Sequence, residues 1–502
     1  MSRRLAIAVV IAAGAALRFW NIDAGLPSRI GVDEPVIAQR AIAMMRSGDF
    51  NPRFFDYPSL YIYLQLAVGC VRYVTGAMSG LWRSLDQFHP EHLFLWTRML
   101  NAAIGTLTIV LVYRAGIRWG FWVAFTATAI FAVWPNHVRE SHFALTDVPV
   151  TFLTVAALVL ALRAYDMGRW PWFLAAGASV GLAAATKYNG AYALLLPLVA
   201  AAATKAPAGH RLGMAALAIA ASAFAFVLAA PYTVLDLPGF LNGFGALSTY
   251  YRPRPLSDGA SIYTGHLRVA AGQIGVWTIG AGIVWGTVRS IRDKDIGPWA
   301  ILAVFPLAYF LSVATKQLIF ARYLLPMIPF LCLIMALILV DGVTWAWHLH
   351  RPAWARVSMV GAALALVLFP VVRAGVQWPA MWGRPTTQDL AYERIRELIP
   401  KGAGVVVERS VLRLPETLYR QLDVHRMPIR TPEHYMSHGF NYVVASSTAY
   451  WPVLQQPSEH AREYEVYQRV FNNQGHCLPT IQATPVVEGP EIIVCRLDAP
   501  FH

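Results

Sequence analysis

The sequence predicts a polytopic α-helical membrane protein of about 11–13 transmembrane helices, with a soluble α/β domain at its C-terminal end. Three observations carry that expectation. Of the 502 residues, 57% are hydrophobic and only 14% charged, where soluble proteins hold roughly 45–50% and about 25%. The apolar residues gather in stretches of about 17–24, the length that crosses a hydrocarbon core of about 30 Å as helix. Basic residues concentrate in the short loops between them, as cytoplasmic loops do. Only helices and closed barrels satisfy the backbone inside lipid, and unbroken apolar runs exclude the alternating pattern of a barrel strand.

The first stretch follows Met1-Ser2-Arg3-Arg4 and runs to Trp20. Ala16-Leu17-Arg18-Phe19-Trp20 is a poor cleavage site, so the segment reads as a retained first span with a cytoplasmic N-terminus. The apolar segments are 4–20, 59–78, 94–113, 121–137, 148–166, 171–187, 188–204, 212–232, 265–288, 297–314, 318–340 and 355–375. The basic loops hold Arg114/Arg118, Arg163/Arg169, Lys205/His210/Arg211, Arg289/Arg292/Lys294 and His348/His350/Arg351/Arg356. An even number of segments separates each from the next, so all five fit the cytoplasmic side. One conflict remains. Residue 21 outside and Arg114 inside require an odd number of crossings, yet two segments, 59–78 and 94–113, lie between them. Either 59–78 lies in the interface or a crossing is miscounted; 11 spans, with 13 as the alternative, put the C-terminal part outside.

From about residue 384 the long apolar runs stop. Residues 1–383 form the membrane domain, with a first outer loop at 21–57, and 384–502 an extracytoplasmic α/β domain. Gln388 to Leu398 suits a helix closed by Pro400-Lys401-Gly402. Gly404 to Val407, Tyr442 to Ala445 and Ile492 to Leu497 suit strands, with a helix from about Glu459 to Val470. Cys70 and Cys332 lie in apolar runs as buried residues; Cys477 and Cys495 could pair in an oxidising compartment. The net charge of +13 is explained by the loops, and there is no nucleic-acid-binding motif. The sequence contains no CxxC, zinc spacing, glycine-rich phosphate loop, G-x-S-x-G or evident internal repeat.

The outer face collects the unusual polar residues. The first outer loop reads GVDEPVIAQRAIAMMRSGDF, with Asp33 and Glu34 before Pro35. Ile37, Ala41, Met44 and Met45 fall near one helical face, which suits a helix lying in the interface. The acidic pair either caps that helix or supplies a catalytic carboxylate, and Glu34 could cap while Asp33 faces a cavity. Asp147, in HFALTDVP, begins a span on the outer side, as an interface residue or an inward-facing functional carboxylate. Lys187, in TKYNG, either snorkels to the headgroups or faces an anionic ligand. Lys316 and Arg322, in TKQLIFARYLLP, are cations on the side where positive charge should be scarce, and Arg322 adjoins Tyr323 at a span end. Arginine there is either a structural ion pair or a phosphate ligand. Tyr232, Asp236, Arg252 and Arg254 are further outer residues, each more readily a loop face. Carboxylates and cations on one face match transfer of a sugar from a lipid phosphate. Cations stabilise the departing phosphate, a carboxylate takes the acceptor proton, and the transition state resembles an oxocarbenium ion.

The pieces VDEPVIAQRAIAMMRSGDF, FDYPSLYIYL, ALTDVPVTFL, ATKYNGAYALLLP, APYTVLDLPGF and KQLIFARYLLPMIPF occur in that order. With them the chain resembles the bacterial members of the dolichyl-phosphate-mannose protein mannosyltransferase family, and is similar to the aminoarabinose transferase that modifies lipid A. The resemblance covers most of the chain. It implies the C-type membrane glycosyltransferase fold, a polyprenyl-phosphate-linked sugar as donor, and inversion at the anomeric carbon. It implies Asp33 as general base with Glu34 in support, Asp147 near the acceptor or organising the site, and Lys316, Arg322 and Tyr323 near the donor phosphate. The lipid A relatives carry Glu-Lys-Pro where this chain has Asp56-Tyr57-Pro58. The missing lysine argues against lipid A as acceptor and puts phosphate binding on Lys316 and Arg322. Some relatives bind a divalent metal in this area, and Asp56 and His266 are the donors this chain could offer; no cofactor is required by the reading.

The leading expectation is therefore sugar transfer at the outer face of the cytoplasmic membrane, to a glycan, lipid or protein acceptor. The rival class is a transporter or flippase of a lipid-linked intermediate, though transporters show internal repeats and broken helices near mid-membrane. A non-catalytic assembly protein would leave the acid–cation pairing without a purpose. The enzymatic expectation rests on Asp33 and Arg322 facing one chamber.

Overall fold

The computed structural model describes residues 2–31, 33–349, 351–409, 411–473, 475–484, 487–498 and 500–501. Val32 of the first outer loop and His350 of the last basic loop lie outside the described residues. Every predicted apolar segment lies for most of its length on helix, among further short helices that were not predicted. In chain order these are α1 (Arg3–Phe19), α2 (Glu34–Ser47), α3 (Leu60–Met78), α4 (Phe94–Gly116), α5 (Phe121–Ala132), α6 (Pro135–Glu140), α7 (Asp147–Met167), α8 (Trp170–Thr186), α9 (Leu195–Ala203), α10 (Ala208–Ala229), α11 (Tyr232–Leu235), α12 (Leu237–Tyr250), α13 (Leu256–Arg292), α14 (Ile296–Ala314), α15 (Ile328–Trp347) and α16 (Ala353–Trp382). Tight 3₁₀ turns at Tyr188–Leu194 and Ala321–Met327 lead into α9 and α15. Among the described residues seven helices are long and apolar enough to cross a membrane: Phe94–Trp119, Asp147–Met167, Ala208–Ala229, Leu256–Arg292, Ile296–Ala314, Ala321–Trp347 and Ala353–Trp382. Phe121–Ala132 and Tyr188–Ala203 are shorter apolar helices.

The chain divides into two compact units. The first comprises Met1–Ile22, Val36–Leu81 and Trp96–Pro379; the second comprises Asp23–Pro35, Trp82–Leu95 and Ala380–His502.

The core of the first unit is built from α4, α5, α7, α14 and α15, with Phe131, Trp134, Leu158, Phe305 and Phe330 wholly buried. Two features explain its local form. The expected span 121–137 stops early, because α5 ends at Ala132 and Pro135 opens the short α6. Proline supplies no backbone donor and is favoured in a first helical turn. The carbonyl freed at Ala132 is taken by Arg18, whose Nη1 donates to it and to Gly14 O, both at 2.8 Å. Arg18 is wholly buried, and its other nitrogen lies 3.0 Å from His137 Nδ1. This arginine, read as part of an apolar first span, thus closes the α1–α5–α6 junction. Helices α8 and α10 pack backbone to backbone through Gly177 and Gly181. A Cβ on either would come 2.2 Å from Ala218 O or Ser222 O, so no side chain fits. Small residues four apart are the standard means of close helix approach in lipid.

Helix α2 forms as its periodicity predicts, but its apolar face is not left for lipid. Ile37, Ala41 and Met44 are at most 2% exposed, covered by the protein itself. Cys332 is buried as expected, whereas Cys70 is exposed on α3, a correction to the sequence reading.

The second unit carries a four-stranded sheet, β1 (Gly404–Glu408), β2 (Arg420–Val424), β3 (Phe440–Ser446) and β4 (Ile492–Arg496), in the order β2-β1-β3-β4. Strand β1 pairs parallel with β2 and β3, and β4 is antiparallel to β3. Helices α17 (Thr387–Leu398), α18 (Pro432–Ser437), α19 (Ser447–Gln455) and α20 (Ala461–Phe471) cover it. Strand β2 was not predicted, because its Arg420-Gln421-Leu422-Asp423-Val424 is an edge strand with little burial. Cys477 and Cys495 are joined by a disulfide.

Candidate active site

The loop before α7 is built to deliver Asp147. On α4, Asn101 receives a hydrogen bond from Tyr61 Oη at 3.0 Å, and its own amide donates to the carbonyls of Phe143 and Leu145. Gln65 on α3 donates to Ala144 O at 3.2 Å. Three consecutive carbonyls outside a helix are thereby satisfied without water, which fixes the chain entering α7. Asp147 is the first residue of α7 and is 3% exposed.

Lys187 reaches it from the break between α8 and the 3₁₀ turn. The chain turns extended at Lys187, which ends α8 and sends the side chain towards α7. Its Nζ lies 2.7 Å from Asp147 Oδ1 and 4.7 Å from the centre of the Tyr323 ring. Arg322 Nε lies 3.8 Å from Asp147 Oδ2, and the guanidinium also covers the Phe320 ring at 4.7 Å. Asp147 is thus buried, with Lys187 and Arg322 paired to it.

In front of this cluster lies a cavity of about 410 Å³. Among the predicted residues, Asp56, Lys187, Lys316 and Tyr323 line it, together with Tyr57, Tyr188, Asn189 and Tyr251. Asp147 and Arg322 are not lining residues and connect to it through Lys187. Tyr188 Oη donates to Phe55 O at 2.9 Å, tying the 3₁₀ turn to the loop that carries Asp56. Tyr251 and Tyr323 bring their hydroxyls within 3.4 Å. The backbone at Lys316 is held by the segment 252–253: Pro253 and Lys316 form an isolated bridge, and Gln317 N donates to Arg252 O at 2.8 Å. Asp56 also lines a second cavity of about 650 Å³, with Asn51, Arg53, Tyr232 and Asp236. There Asn51 Nδ2 donates to Asp236 Oδ2 at 2.8 Å, and Asp236 caps α12 through Gly239 N.

Asp33 and Glu34 belong to the second unit, at the end of its Asp23–Pro35 segment. Glu34 is wholly buried, and its Oε2 accepts from Gly31 N at 2.6 Å. That bond closes the turn before α2. The segment is pinned to the rest of its unit. Ser28 Oγ donates to Asp389 on α17 at 3.3 Å, Arg29 donates to Trp382 O at 2.8 Å and stacks on the Trp382 ring at 4.0 Å, and Arg413 N donates to Ser28 O at 2.8 Å. The loop carrying Asp33 is therefore supported by residues more than 350 positions away.

Two residues of this region escaped the sequence reading. Asn189 lies in the quoted TKYNG run, yet an uncharged amide gave no signal. Glu140, in VRESHF, is 3% exposed, with Arg139 at 3.4 Å. Burial pushes its carboxyl up to about 7; Asp147 adds to the rise, and Arg139, Arg322 and Lys187 oppose it. Among the described residues no group of three or more His, Cys, Asp or Glu side chains is placed to hold a metal ion. Asp56 faces lysine, tyrosine and asparagine in one cavity and Asp236 in the other, and no step is derived through a metal.

Fold and cavity together define a multi-pass membrane protein with the C-type membrane glycosyltransferase fold. The chain is similar to one family in particular: residues 43–244 match the family model described as dolichyl-phosphate-mannose-protein mannosyltransferase. Dolichyl-phosphate-mannose–protein mannosyltransferase 1 of Saccharomyces cerevisiae is 30% identical over 117 residues, 21% of this chain and 14% of that protein. The chain thus matches only about a seventh of the length of that curated relative. The structure resembles ArnT from Cupriavidus metallidurans bound to undecaprenyl phosphate, with a TM-score of 0.58 and 16% identity over 99% of this chain and 98% of that one. It also resembles the oligosaccharyltransferase AglB from Archaeoglobus fulgidus in complex with an inhibitory peptide and a dolichol-phosphate, with a TM-score of 0.59 and 13% identity over 92% of this chain and 71% of that one.

Proposed function

We propose that this chain transfers a monosaccharide from a polyprenyl-phosphate-linked donor to an acceptor hydroxyl on the outer face of the cytoplasmic membrane, with inversion. The observation that carries the reading is the 410 Å³ cavity with Lys187, Lys316 and the Tyr323 ring in its wall. Asp147 answers Lys187 and Arg322, but Lys316 has no ion-pair partner among the described residues, and a lipid phosphate is the anion that membrane residence supplies. The fold agrees, since the solved ArnT and AglB structures hold undecaprenyl phosphate and dolichol-phosphate.

In this reading the acceptor oxygen attacks the anomeric carbon. The new C–O bond forms as the bond to the phosphate oxygen breaks, and polyprenyl phosphate leaves with the electron pair. Lys316, with Lys187 and Arg322 behind it, stabilises that charge as it develops. Asp33 takes the acceptor proton as general base, and Glu34 holds the Asp33 turn through Gly31. Asp147 fixes the lysine and arginine. Asp56, common to both cavities, stands on the acceptor side. The N-terminus is cytoplasmic and the α/β domain extracytoplasmic. The acceptor is a glycan, lipid or protein.

The test is release of polyprenyl phosphate by the purified full chain in lipid nanodiscs supplied with a polyprenyl-phosphate sugar. Wild type releases it and Asp33→Asn does not, while both unfold at the same temperature. Normal turnover by Asp33→Asn would remove the assigned base; movement of the lipid across a vesicle membrane without release would show a transporter instead.

A further inference from the structure

A third cavity lies at the other end of α7. From Asp147 to Asp166 that helix rises about 28 Å, close to the thickness of a hydrocarbon core. There a cavity of about 430 Å³ opens between the ends of α4 and α7 and the start of α8. Three arginines line it, Arg114, Arg118 and Arg163, against one carboxylate, Asp166. Arg118 is already matched. Its Nη2 lies 3.3 Å from Asp166 Oδ1 and 3.3 Å from Asp295 Oδ2, and Tyr165 Oη donates to Asp295 Oδ1 at 3.3 Å. Arg114 and Arg163 are exposed and have no ion-pair partner among the described residues. The Arg163 guanidinium lies over the Trp172 ring at 5.4 Å, a contact that orients the charge without neutralising it.

Below these charges the wall becomes apolar. Val159 and Leu160 line the same cavity, and Val159 lies about 10 Å along α7 from Asp166. An anion bound here therefore meets cations at the rim and apolar side chains beneath them. Inorganic phosphate would use the rim alone. A phospholipid uses both parts, because its phosphate accepts paired hydrogen bonds from guanidinium groups and its acyl chain covers the apolar wall. Basic pockets between spans at headgroup depth are a recurrent form of lipid site. We propose that Arg114 and Arg163 bind the phosphate of an anionic phospholipid, with an acyl chain against Val159 and Leu160, in the leaflet at the opposite end of α7 from Asp147. The site is separate from the donor cavity and does not depend on the reaction argued above.

The experiment titrates the full-length chain in detergent with phosphatidylglycerol, with phosphatidylcholine of the same acyl chains and with inorganic phosphate. Native mass spectrometry reads binding and thermal unfolding reads stabilisation. Wild type binds phosphatidylglycerol more tightly than phosphatidylcholine and melts at a higher temperature with it, while inorganic phosphate at the same concentration has no effect. Arg114→Gln and Arg163→Gln each lose about fivefold in affinity for phosphatidylglycerol, and the double variant about thirtyfold, at the worth of one basic residue near a lipid surface. Arg351→Gln, in another basic loop, loses nothing. The single variants keep the test open should the double variant not fold. The proposal is overturned if phosphatidylcholine binds as tightly, or if both single variants keep the wild-type affinity. It is also overturned if inorganic phosphate stabilises as much, which would make the ligand a soluble anion. Equal loss in Arg351→Gln overturns it too, because the effect would then be the general charge of that face.

Discussion

Lys187 Nζ sits 2.7 Å from Asp147 Oδ1, with the two side chains only 10% and 4% exposed. The pair joins the start of α7 to the end of α8, and Arg322 approaches the second carboxylate oxygen at 3.8 Å. One anion thus holds two cations in place beside the cavity. Desolvating such a group is repaid only while all its partners remain.

The three charges differ in what their loss leaves behind. Asp147→Asn strands both Lys187 and Arg322 and is expected to lower stability by about 3–5 kcal/mol. Lys187→Met leaves Asp147 with Arg322 and is expected to be milder. Chemical or thermal unfolding in nanodiscs compares them; a Lys187→Met loss equal to that of Asp147→Asn would show that Arg322 gives the carboxylate no support.

Lys316 lines the cavity without an ion-pair partner among the described residues. Lys316→Ala is therefore expected to weaken donor use about ten- to a hundredfold, the worth of one charge-assisted hydrogen bond, with little change in melting temperature. The donor dependence of kcat/KM reports it, and an unchanged value would remove Lys316 from the phosphate site.

Glu140 makes stability depend on pH. Its carboxyl is pushed up to about 7, chiefly by burial. The folded state therefore binds a proton that the unfolded chain has released above about 4.5. The stabilisation is complete below about pH 4.5 and is lost as pH rises through about 7. Up to about 3 kcal/mol is involved. Glu140→Gln is expected to flatten that part of the curve, as measured by unfolding between pH 4.5 and 8.

In the α/β domain, Glu408 is wholly buried and accepts from Met427 N at 2.6 Å, Ser446 N at 3.0 Å and the Tyr467 hydroxyl. One side chain ties β1 to β3, to α20 and to the turn at Met427. Glu408→Ala orphans three donors and is expected to destabilise the domain by about 3 kcal/mol or more. Glu408→Gln keeps an acceptor oxygen and is expected to lose less. Hydrogen exchange over 404–446 measures the difference.

Much of this protein was legible before its structure. The apolar segments appeared as helices in the predicted order because apolar runs of span length have no other way to satisfy their backbone. The cavity residues Asp56, Lys187 and Lys316 stood out because charge in such a chain is scarce enough that each instance needs a reason, and Tyr323 because it adjoins Arg322. Two helices and three of the strands of the C-terminal domain were read from the sequence, while β2 was hidden because an edge strand can be polar on both faces.

What the sequence by itself determined is the class of molecule and the inventory of unusual groups. Local composition dictates these, since each span and each out-of-place charge is a property of one short stretch. Tertiary structure alone decided the partnerships: Asp147 with Lys187 and Arg322, Ser28 with Asp389, Asn189 with Tyr309, and the arginine that seals the end of α5. Those depend on residues 40 to more than 350 positions apart being brought within bonding distance. No short-range periodicity encodes that distance; it emerges only when buried polar groups find the partners that water can no longer provide.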